Sequence, residues 1–433
     1  MQQQPVPMPP EQQPSEQQLP LRGRLLVLLS VLLVFLIIGV VVGTTLIRNS
    51  LQSSTARVKW SFTREHEALD FPPIVANGMM YAGLSDGRLY ALDAASGSIK
   101  RSFQTEVLKK ELLAPPTLVN GIMYISSRDE TLYALDTASG IIKWSFKIIP
   151  QIVSPLVANG LVYVGSAVGG PDGFNLTALD ASSGKEKWAY HNKLKDSILS
   201  SFPAVANGIV YAKIYRTLYA LDASSGKERW SYMPGNEIGL GYFAPVIANG
   251  TVYINADDSS SPRKGWIFAL DASSGKRLWS YPTMRSTRSL QVTNGIVYVV
   301  GALEGGAMQL EALNARSGSR IWSFLTLKRG DISSLVAVDG MVYIYDAELN
   351  TLNALDESSG VRKWSRNGIF SSPLVVNSVV YASLPNGTFS ALDAHAGSPR
   401  WSISQWNNNQ PLMVNGIIYL FSKFKVWAIQ PPA

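Results

Sequence analysis

After residue 57 the chain is a series of short apolar segments separated by turn residues, without the 3.6-residue period of an amphipathic helix. The segments fall into units of four. In each unit the first segment ends in an Asn-Gly-type turn and the second carries a tyrosine, as in Asn159-Gly160 followed by Tyr163. An Asn-Gly pair between apolar segments predicts a tight β-hairpin, because both turn positions need positive φ. This region is therefore predicted to be all-β.

The third segment of each unit ends in Ala-Leu-Asp, and the fourth follows a glycine and contains a tryptophan. The clearest copies span residues 178–188 and 220–230. The phrase returns about every 40–45 residues, a period typical of β-propeller blades with four strands each. We count nine units. The prediction is a multi-bladed β-propeller with nine blades, or eight with one unit displaced.

The two ends of this region complement each other. Residues 58–62 read only as a fourth strand, whereas residues 412–430 supply a first, second and third strand and then stop. Pairing the first strand of the region with the last would complete one unit and remove two sheet edges. We therefore predict a ring closed by strand exchange between its termini.

A different pattern precedes the repeats. Residues 1–20 are rich in Gln and Pro and predict a disordered cytoplasmic tail. Residues 25–47 are uncharged and, as a helix, span roughly 35 Å, enough for a hydrocarbon core of about 30 Å. We expect a transmembrane signal-anchor helix at 21–48, a linker at 49–57 and the propeller at 58–430. A cleaved signal peptide is the alternative.

Charge and composition indicate where the protein lies in the cell and which classes of partner are not expected. Arg22 and Arg24 precede the apolar span and favour a cytoplasmic N-terminus, so a single-pass protein of the cell membrane with an extracytoplasmic C-terminal domain is expected. The chain has no cysteine, which excludes disulfides and a lipidated-cysteine anchor. Its net charge is +7, but no basic run contains interleaved aromatics, so nucleic acid is not an expected partner.

The residues that could indicate a catalytic or metal-binding site are better explained by turns or lack the necessary spacing. The Asp of each Ala-Leu-Asp precedes small polar residues and is expected to cap a turn. Residues 83–87 match G-x-S-x-G but lie between two predicted strands, not at a strand-to-helix elbow. The histidines His66, His191 and His395 are scattered without metal-ligand spacing. No catalytic, cofactor or metal residues are assigned.

The repeated indoles are predicted to dock between blades, because one bulky ring per unit beside small residues suits a wedge better than a unique site. These residues are Trp60, Trp144, Trp188, Trp230, Trp279, Trp322, Trp364 and Trp401, and Arg101 takes the position once.

The connections divide into two faces. The first-to-second and third-to-fourth turns are short and define a turn face. The second-to-third and inter-unit connections vary in length and define a loop face, where binding usually concentrates. Candidate ligand contacts on the loop face are Phe174, Tyr242, Phe243 and Trp266.

The phrase Ala-x-Asp-x-x-x-Gly-Lys-Glu-x-Trp at 178–188 and 220–230 resembles the tryptophan-docking motif of the pyrroloquinoline quinone (PQQ)-like repeat family. The resemblance covers about residues 58–430. Within this family, the chain is similar to propellers of the outer-membrane assembly factor type. It implies a β-propeller in which the indole docks between neighbouring blades. One branch of this family oxidises alcohols or sugars with PQQ and Ca²⁺, and another consists of cofactor-free scaffolds.

The chain lacks the vicinal disulfide common in the dehydrogenase branch, and no Ca²⁺-ligand set is recognisable. We therefore expect a membrane-anchored, non-catalytic scaffold that binds a protein or cell-envelope ligand and needs no cofactor. A PQQ-dependent dehydrogenase using PQQ and Ca²⁺ is the alternative. A sensor is a third reading, although the cytoplasmic tail is too short for a signalling domain.

Overall fold

The computed structural model describes residues 56–432 except for 65, 105, 108–111, 113, 149–153, 167–173, 193–202, 215, 236–237, 242, 259–264, 284–286, 304–305, 330–331 and 405–410. Residues Ala56–Pro431 form one compact unit. The predicted cytoplasmic tail, the membrane span at 25–47 and most of the linker lie outside the described residues. Among the residues described, no helix has the length and apolarity needed to cross a membrane.

In the described part of the chain, thirty-seven strands form nine separate antiparallel sheets, which we number as blades 1 to 9. The count of nine units is thus confirmed, and the eight-blade alternative is wrong. Strand β1 (Arg57–Thr63) belongs to blade 9.

The strands of blades 1 to 4 are β2 (Ile74–Ala76), β3 (Met79–Gly83), β4 (Arg88–Asp93) and β5 (Ile99–Gln104); β6 (Thr117–Val119), β7 (Ile122–Ser127), β8 (Thr131–Asp136) and β9 (Ile142–Lys147); β10 (Leu156–Ala158), β11 (Leu161–Ser166), β12 (Phe174–Asp180) and β13 (Glu186–Asn192); β14 (Ala204–Ala206), β15 (Ile209–Ile214), β16 (Thr217–Asp222) and β17 (Glu228–Tyr232).

Blades 5 to 7 contain β18 (Ile238–Leu240), β19 (Val246–Ala248), β20 (Thr251–Asp258), β21 (Gly265–Asp271) and β22 (Arg277–Thr283); β23 (Thr287–Thr293), β24 (Ile296–Ala302), β25 (Ala307–Asn314) and β26 (Arg320–Arg329); β27 (Ile332–Val338), β28 (Met341–Asp346), β29 (Thr351–Asp356) and β30 (Arg362–Asn367).

Blades 8 and 9 contain β31 (Leu374–Val376), β32 (Val379–Leu384), β33 (Thr388–Asp393) and β34 (Pro399–Ser404); β35 (Leu412–Val414), β36 (Ile417–Phe421) and β37 (Lys425–Gln430), together with β1. A single 3₁₀ turn, η1 (Pro385–Gly387), interrupts the strands of blade 8 among the described residues.

The hairpins of the turn face follow from the sequence chemistry. Asn159 has φ of 52° and Gly160 has φ of 75°, and the corresponding pairs of the other blades share this left-handed conformation. Asparagine and glycine tolerate that conformation better than other residues, so the pair sets a two-residue turn and its register. Each blade therefore contains the hairpin that the sequence predicts, and blade 5 has the additional strand β18 before it.

The first and the last of the described strands pair in blade 9. Strand β1 pairs antiparallel with β37, with Ser61 opposite Trp427 and Phe62 opposite Val426. The sheet order is β1-β37-β36-β35, so the first strand of the region supplies the fourth strand of the last blade.

The apolar core lies between the blades. Each blade packs its buried tyrosine and leucines against the next blade, which produces a series of clusters around the unit rather than one central core. In one cluster, Trp188 and Tyr163 of blade 3 pack with Val210 and Leu221 of blade 4. The positions that differ between neighbouring units therefore decide what each interface contains.

Candidate binding face

Local hydrogen bonds account for the Asp carboxylates of the third-to-fourth turns on the turn face. Oδ1 of Asp271 accepts hydrogen bonds from the backbone N–H and the hydroxyl groups of Ser273 and Ser274. These bonds lower the pKa of Asp271 to about 2, with the Ser273 hydroxyl as the largest cause. The same arrangement lowers the pKa of Asp180, Asp222 and Asp356. The carboxylates of this face thus stabilise their own turns, as expected.

Seven of the eight predicted docking indoles share one geometry. The Nε1–H of Trp188 in blade 3 donates to the carbonyl oxygen of Ala223 in blade 4 at 3.0 Å. Its ring lies on Gly226, where an added Cβ would come within 2.6 Å of the indole. Seven indoles make this bond to the following blade, at 2.8 to 3.1 Å: Trp60, Trp144, Trp188, Trp230, Trp279, Trp322 and Trp364. Each therefore links two successive blades.

Two units depart from this geometry. In blade 1 the guanidinium of Arg101 donates to the carbonyl of Ala138, while the ring of Phe103 lies over Gly140. In blade 8, Trp401 packs on Tyr381 and Phe389, at 5.9 and 6.2 Å between ring centroids. The described residues of blade 9 contain no third-to-fourth turn on which Trp401 could pack, because the fourth strand of this blade is β1, which precedes its third strand in the sequence.

On the loop face, a buried lysine spans two blades. Lys213 on β15 is fully buried, and its Nζ donates to the carbonyl oxygen of Phe243 at 2.5 Å and to Oδ1 of Asn255 at 3.2 Å. Burial lowers the pKa of Lys213 to about 7, although the carboxylate of Asp257 opposes this shift. The charge of Lys213 is therefore sensitive to its surroundings near neutral pH.

The residues around Lys213 fit closely. A Cβ at Gly241 would lie 1.9 Å from Nδ2 of Asn255, so only glycine allows this approach. The N–H of Gly241 donates to the carbonyl oxygen of Asn255 at 3.0 Å. The connection that precedes β19 is thus bonded to β20 by its backbone and to β15 by Lys213. The side chain of Phe243 is 36% exposed.

The four predicted ligand contacts have different positions. Phe243 is exposed, and its carbonyl oxygen accepts the bond from Lys213. Trp266 lies within β21, half-buried, and stacks on Phe268 with 6.2 Å between centroids. Tyr242 and the side chain of Phe174 lie outside the described residues. The structure therefore places Phe243 on the loop face and packs Trp266 largely within its blade.

Sequence reasoning missed Lys213. The signal was present, because a lysine interrupts the otherwise apolar second strand Ile209–Ile214. Its partners are 30 and 42 residues away in the next blade, however, and the sequence does not show that they meet.

A second group of charged residues lies on the loop face of blade 1. The pKa of Asp70 is raised to about 6, first by burial and then by the carboxylates of Asp86 and Glu67. The hydroxyl of Ser85, from the G-x-S-x-G match, donates to Oε2 of Glu67 at 3.1 Å. This serine belongs to a β-turn, as the sequence indicated. Within the described ranges, no three His, Asp or Glu side chains are grouped to hold a metal ion.

Comparison with known proteins connects this geometry to a family. The family model described as outer membrane protein assembly factor BamB matches residues 100–204, 190–307 and 307–431. A curated protein, the outer membrane protein assembly factor BamB of Moranella endobia (strain PCIT), is 39% identical over 67 residues. That match spans 15% of this chain and 17% of the relative.

Solved structures share the fold. BamB from Moraxella catarrhalis has a TM-score of 0.54 at 17% identity, covering 87% of this chain and 100% of that chain. The quinohemoprotein alcohol dehydrogenase ADHIIG from Pseudomonas putida HK5 has a TM-score of 0.51 at 14% identity, covering 87% of this chain and 76% of that chain. At these identities the similarity shows the propeller fold alone.

Proposed function

Because the chain belongs to the family of the outer membrane protein assembly factor BamB, we propose that it is a non-catalytic scaffold that binds proteins of the cell envelope through its loop face. The name of the family describes assembly of outer membrane proteins, and we extend that role to this chain. The indoles act in this proposal as wedges that keep the blades rigid, so that the loop face keeps a constant shape.

The contact between Lys213 and Phe243 carries the proposal. An exposed aromatic ring makes a strong anchor for a protein partner when its backbone is already ordered, because less entropy is lost on binding. Lys213 supplies that order by holding the carbonyl of Phe243. The loop face thus presents an apolar anchor on a segment fixed to two blades.

The attachment of the scaffold to the envelope is part of the same proposal. Residues 25–47 would anchor the protein in the cell membrane, with the propeller outside the cytoplasm, and the pairing of β1 with β37 would close the ring. Resistance to carbonate extraction that disappears on deletion of 25–47 would support the anchor. A cytosolic-only fluorescent reporter that lights up at the C-terminus would contradict this orientation.

The binding role is tested with matched variants in a strain that lacks the gene. Phe243→Ala removes the proposed anchor, and Ile141→Ala removes a side chain on the turn face that is 65% exposed. We expect Ile141→Ala to restore the level of folded outer membrane proteins and Phe243→Ala to restore it only in part. Both proteins should melt at the wild-type temperature. Equal restoration by the two variants would contradict a binding role for Phe243.

The dehydrogenase alternative is tested separately on the purified protein. Adding PQQ and Ca²⁺ should produce neither a bound quinone spectrum nor dye reduction with alcohols and sugars. Saturable quinone binding with turnover would replace the scaffold proposal.

A further inference from the structure

A groove of about 760 Å³ lies on the turn face between blades 5 and 6. Its lining includes residues of the Asn-Gly hairpins of both blades, Leu278 of β22 and the third-to-fourth turn of blade 6 at residues 314–316. Because the same elements recur along the chain, the residues that line this groove can be compared with those at the same positions of the other units.

The groove is widened by a short side chain. Thr251 follows its Asn-Gly turn directly, where seven other units have methionine, isoleucine or leucine and the eighth has Val379. In the preceding interface that residue is Ile209, which packs in one cluster with Ala272 of the next blade. Thr251 and Ala315 hold the equivalent positions here, and both line the groove. Since threonine is shorter than the long aliphatic side chains of the seven units, it leaves room beside Ala315.

One wall of the groove is apolar where most units carry a cation. The residue before the tryptophan position is Lys or Arg in seven of the nine units, and Lys187, for example, lies 3.3 Å from Asp180 of its own hairpin. Blade 5 has Leu278 instead, which is 52% exposed. Blade 6 shares this change, with Ile321 at the same position. The wall beside Leu278 therefore offers an apolar surface to a ligand.

The opposite wall differs from the repeat in its charge. Asn314 stands where seven units have Asp, and Arg316 stands where those seven units have Ala, Ser or His. Asparagine and arginine occur at these two positions in no other unit. Residues 314–322 contain two basic residues and no acidic one, whereas residues 222–230 of blade 4 contain two of each. This side of the groove is therefore positively charged.

Hydrogen bonds already engage other polar groups of the walls. The hydroxyl of Tyr253 donates to the carbonyl oxygen of Ala315 at 3.1 Å. Nδ2 of Asn294 donates to Oε1 of Glu357 at 3.2 Å. Within the described ranges, the guanidinium of Arg316 has no hydrogen bond or ion pair with another residue, and no lining residue carries a carboxylate. The groove thus offers one unpaired positive charge together with an apolar surface.

We propose that this groove binds a segment of a partner protein that carries an acidic side chain next to an aliphatic one. The carboxylate would accept two parallel hydrogen bonds from the guanidinium of Arg316, a pairing that the planar geometry of both groups favours. The aliphatic side chain would fill the space beside Thr251 and contact Leu278.

The dimensions of the groove fit such a segment. Pockets of about 300–1,000 Å³ hold small ligands, so a volume of about 760 Å³ has room for two neighbouring side chains. Leu278, Asn314 and Arg316 are exposed, so an uninterrupted chain can lie across the groove. The involvement of a protein rests on the scaffold function proposed above, whereas the groove itself is on the turn face and does not include Phe243.

The need for a negative charge is tested by titrating the full-length protein with two peptides and observing the leucine methyl groups by NMR. We expect saturable shifts of Leu278 with acetyl-Glu-Leu-amide. Acetyl-Gln-Leu-amide has nearly the same shape without the charge and should bind at least about tenfold more weakly. Equal affinities of the two peptides, or no saturable shift with either, would overturn the site.

Variants separate the charge of the groove from its space. Arg316→Gln should lower the affinity for acetyl-Glu-Leu-amide to that for acetyl-Gln-Leu-amide. Lys276→Gln removes the same charge outside the groove lining and should change the affinity by less than about twofold. Thr251→Ile should abolish the shifts by filling the groove while the melting temperature is maintained, and Thr251→Ser, which keeps the space open, should bind. Equal losses in Arg316→Gln and Lys276→Gln, or shifts that persist in Thr251→Ile, would contradict the proposal.

Further ligands identify the source of the carboxylate. Acetyl-Glu-Leu-amide should bind more tightly than acetyl-Gln-Leu with a free C-terminal carboxylate, and more tightly than 3-methylbutanoate. Tighter binding of the free C-terminus would overturn the assignment to an acidic side chain, and equal binding of 3-methylbutanoate would overturn the assignment to a protein segment. Phe243→Ala should leave all three affinities unchanged, so failure of this proposal and failure of the loop-face function would be distinguishable.

Discussion

Substitutions at Trp188 and Gly226 test the inter-blade wedge most directly. The indole of Trp188 is 7% exposed and donates to Ala223. Burial of an indole, about 150–250 Å² at about 25 cal/mol per Å², contributes roughly 4–6 kcal/mol as an upper bound. We expect Trp188→Ala to lower the free energy of unfolding by about 3–5 kcal/mol, because the neighbouring blade closes the gap only in part.

Gly226→Ala approaches the same contact from the other blade. Gly226 has φ of 70°, and its new Cβ would lie 2.6 Å from the indole, well inside the contact distance of about 3.5–4.0 Å. The left-handed backbone costs about 1–2 kcal/mol, and displacing the ring adds about 1–3 kcal/mol. Gly208→Ala is the matched control, because Gly208 has φ of 73° and nothing lies within 4 Å of its added Cβ.

Urea denaturation followed by circular dichroism measures these differences, and the double variant completes a thermodynamic cycle. Once Trp188 is alanine, Gly226→Ala should cost only the backbone strain, which gives a coupling of about 1–3 kcal/mol. Gly208→Ala should show no coupling to Trp188. If Gly226→Ala is no more destabilising than Gly208→Ala, or if the cycle is additive, the wedge contact does not stabilise the fold as argued.

Three further perturbations test the turns, the buried lysine and the exceptional blade. The pKa of Asp271 in the folded protein is lowered to about 2, so the ionised carboxylate stabilises the fold at pH values above its unfolded pKa, and this stabilisation is lost as pH falls through about 2. When pH is lowered from 6 to 2, the urea midpoint should therefore fall more steeply for the wild type than for Asp271→Asn. The pKa of Lys213 is about 7 in the folded protein and 10.5 in the unfolded chain, so the unfolded chain binds more protons between these pH values. The free energy of unfolding should therefore rise from pH 7 to pH 10, and this rise should be smaller in Lys213→Met. Phe103→Ala should lower the free energy of unfolding by about 3–5 kcal/mol and Arg101→Ala by less than about 1 kcal/mol, because Phe103 contacts Gly140 while Arg101 is exposed. If urea denaturation shows equal losses for the two variants, Phe103 is not the wedge of blade 1.

The sequence by itself determined the four-stranded blade and the count of nine units, but it left the number of blades open between nine and eight. The Asn-Gly turns need positive φ at two adjacent positions, and the Asp caps bond to residues two and three positions away. Both effects act within a few residues, so they can be predicted from the repeat without knowing the rest of the fold.

Tertiary structure decided the contents of each interface. Arg101 stands in the tryptophan position, yet Phe103 supplies the ring over Gly140, and Trp401 faces a blade that has no turn to receive it. The bond from Lys213 to Phe243 likewise joins residues of neighbouring blades. A repeat specifies what its own unit can form. The fit between units depends on volumes and hydrogen-bonding groups that meet only when the blades pack, and there a single changed side chain alters the site.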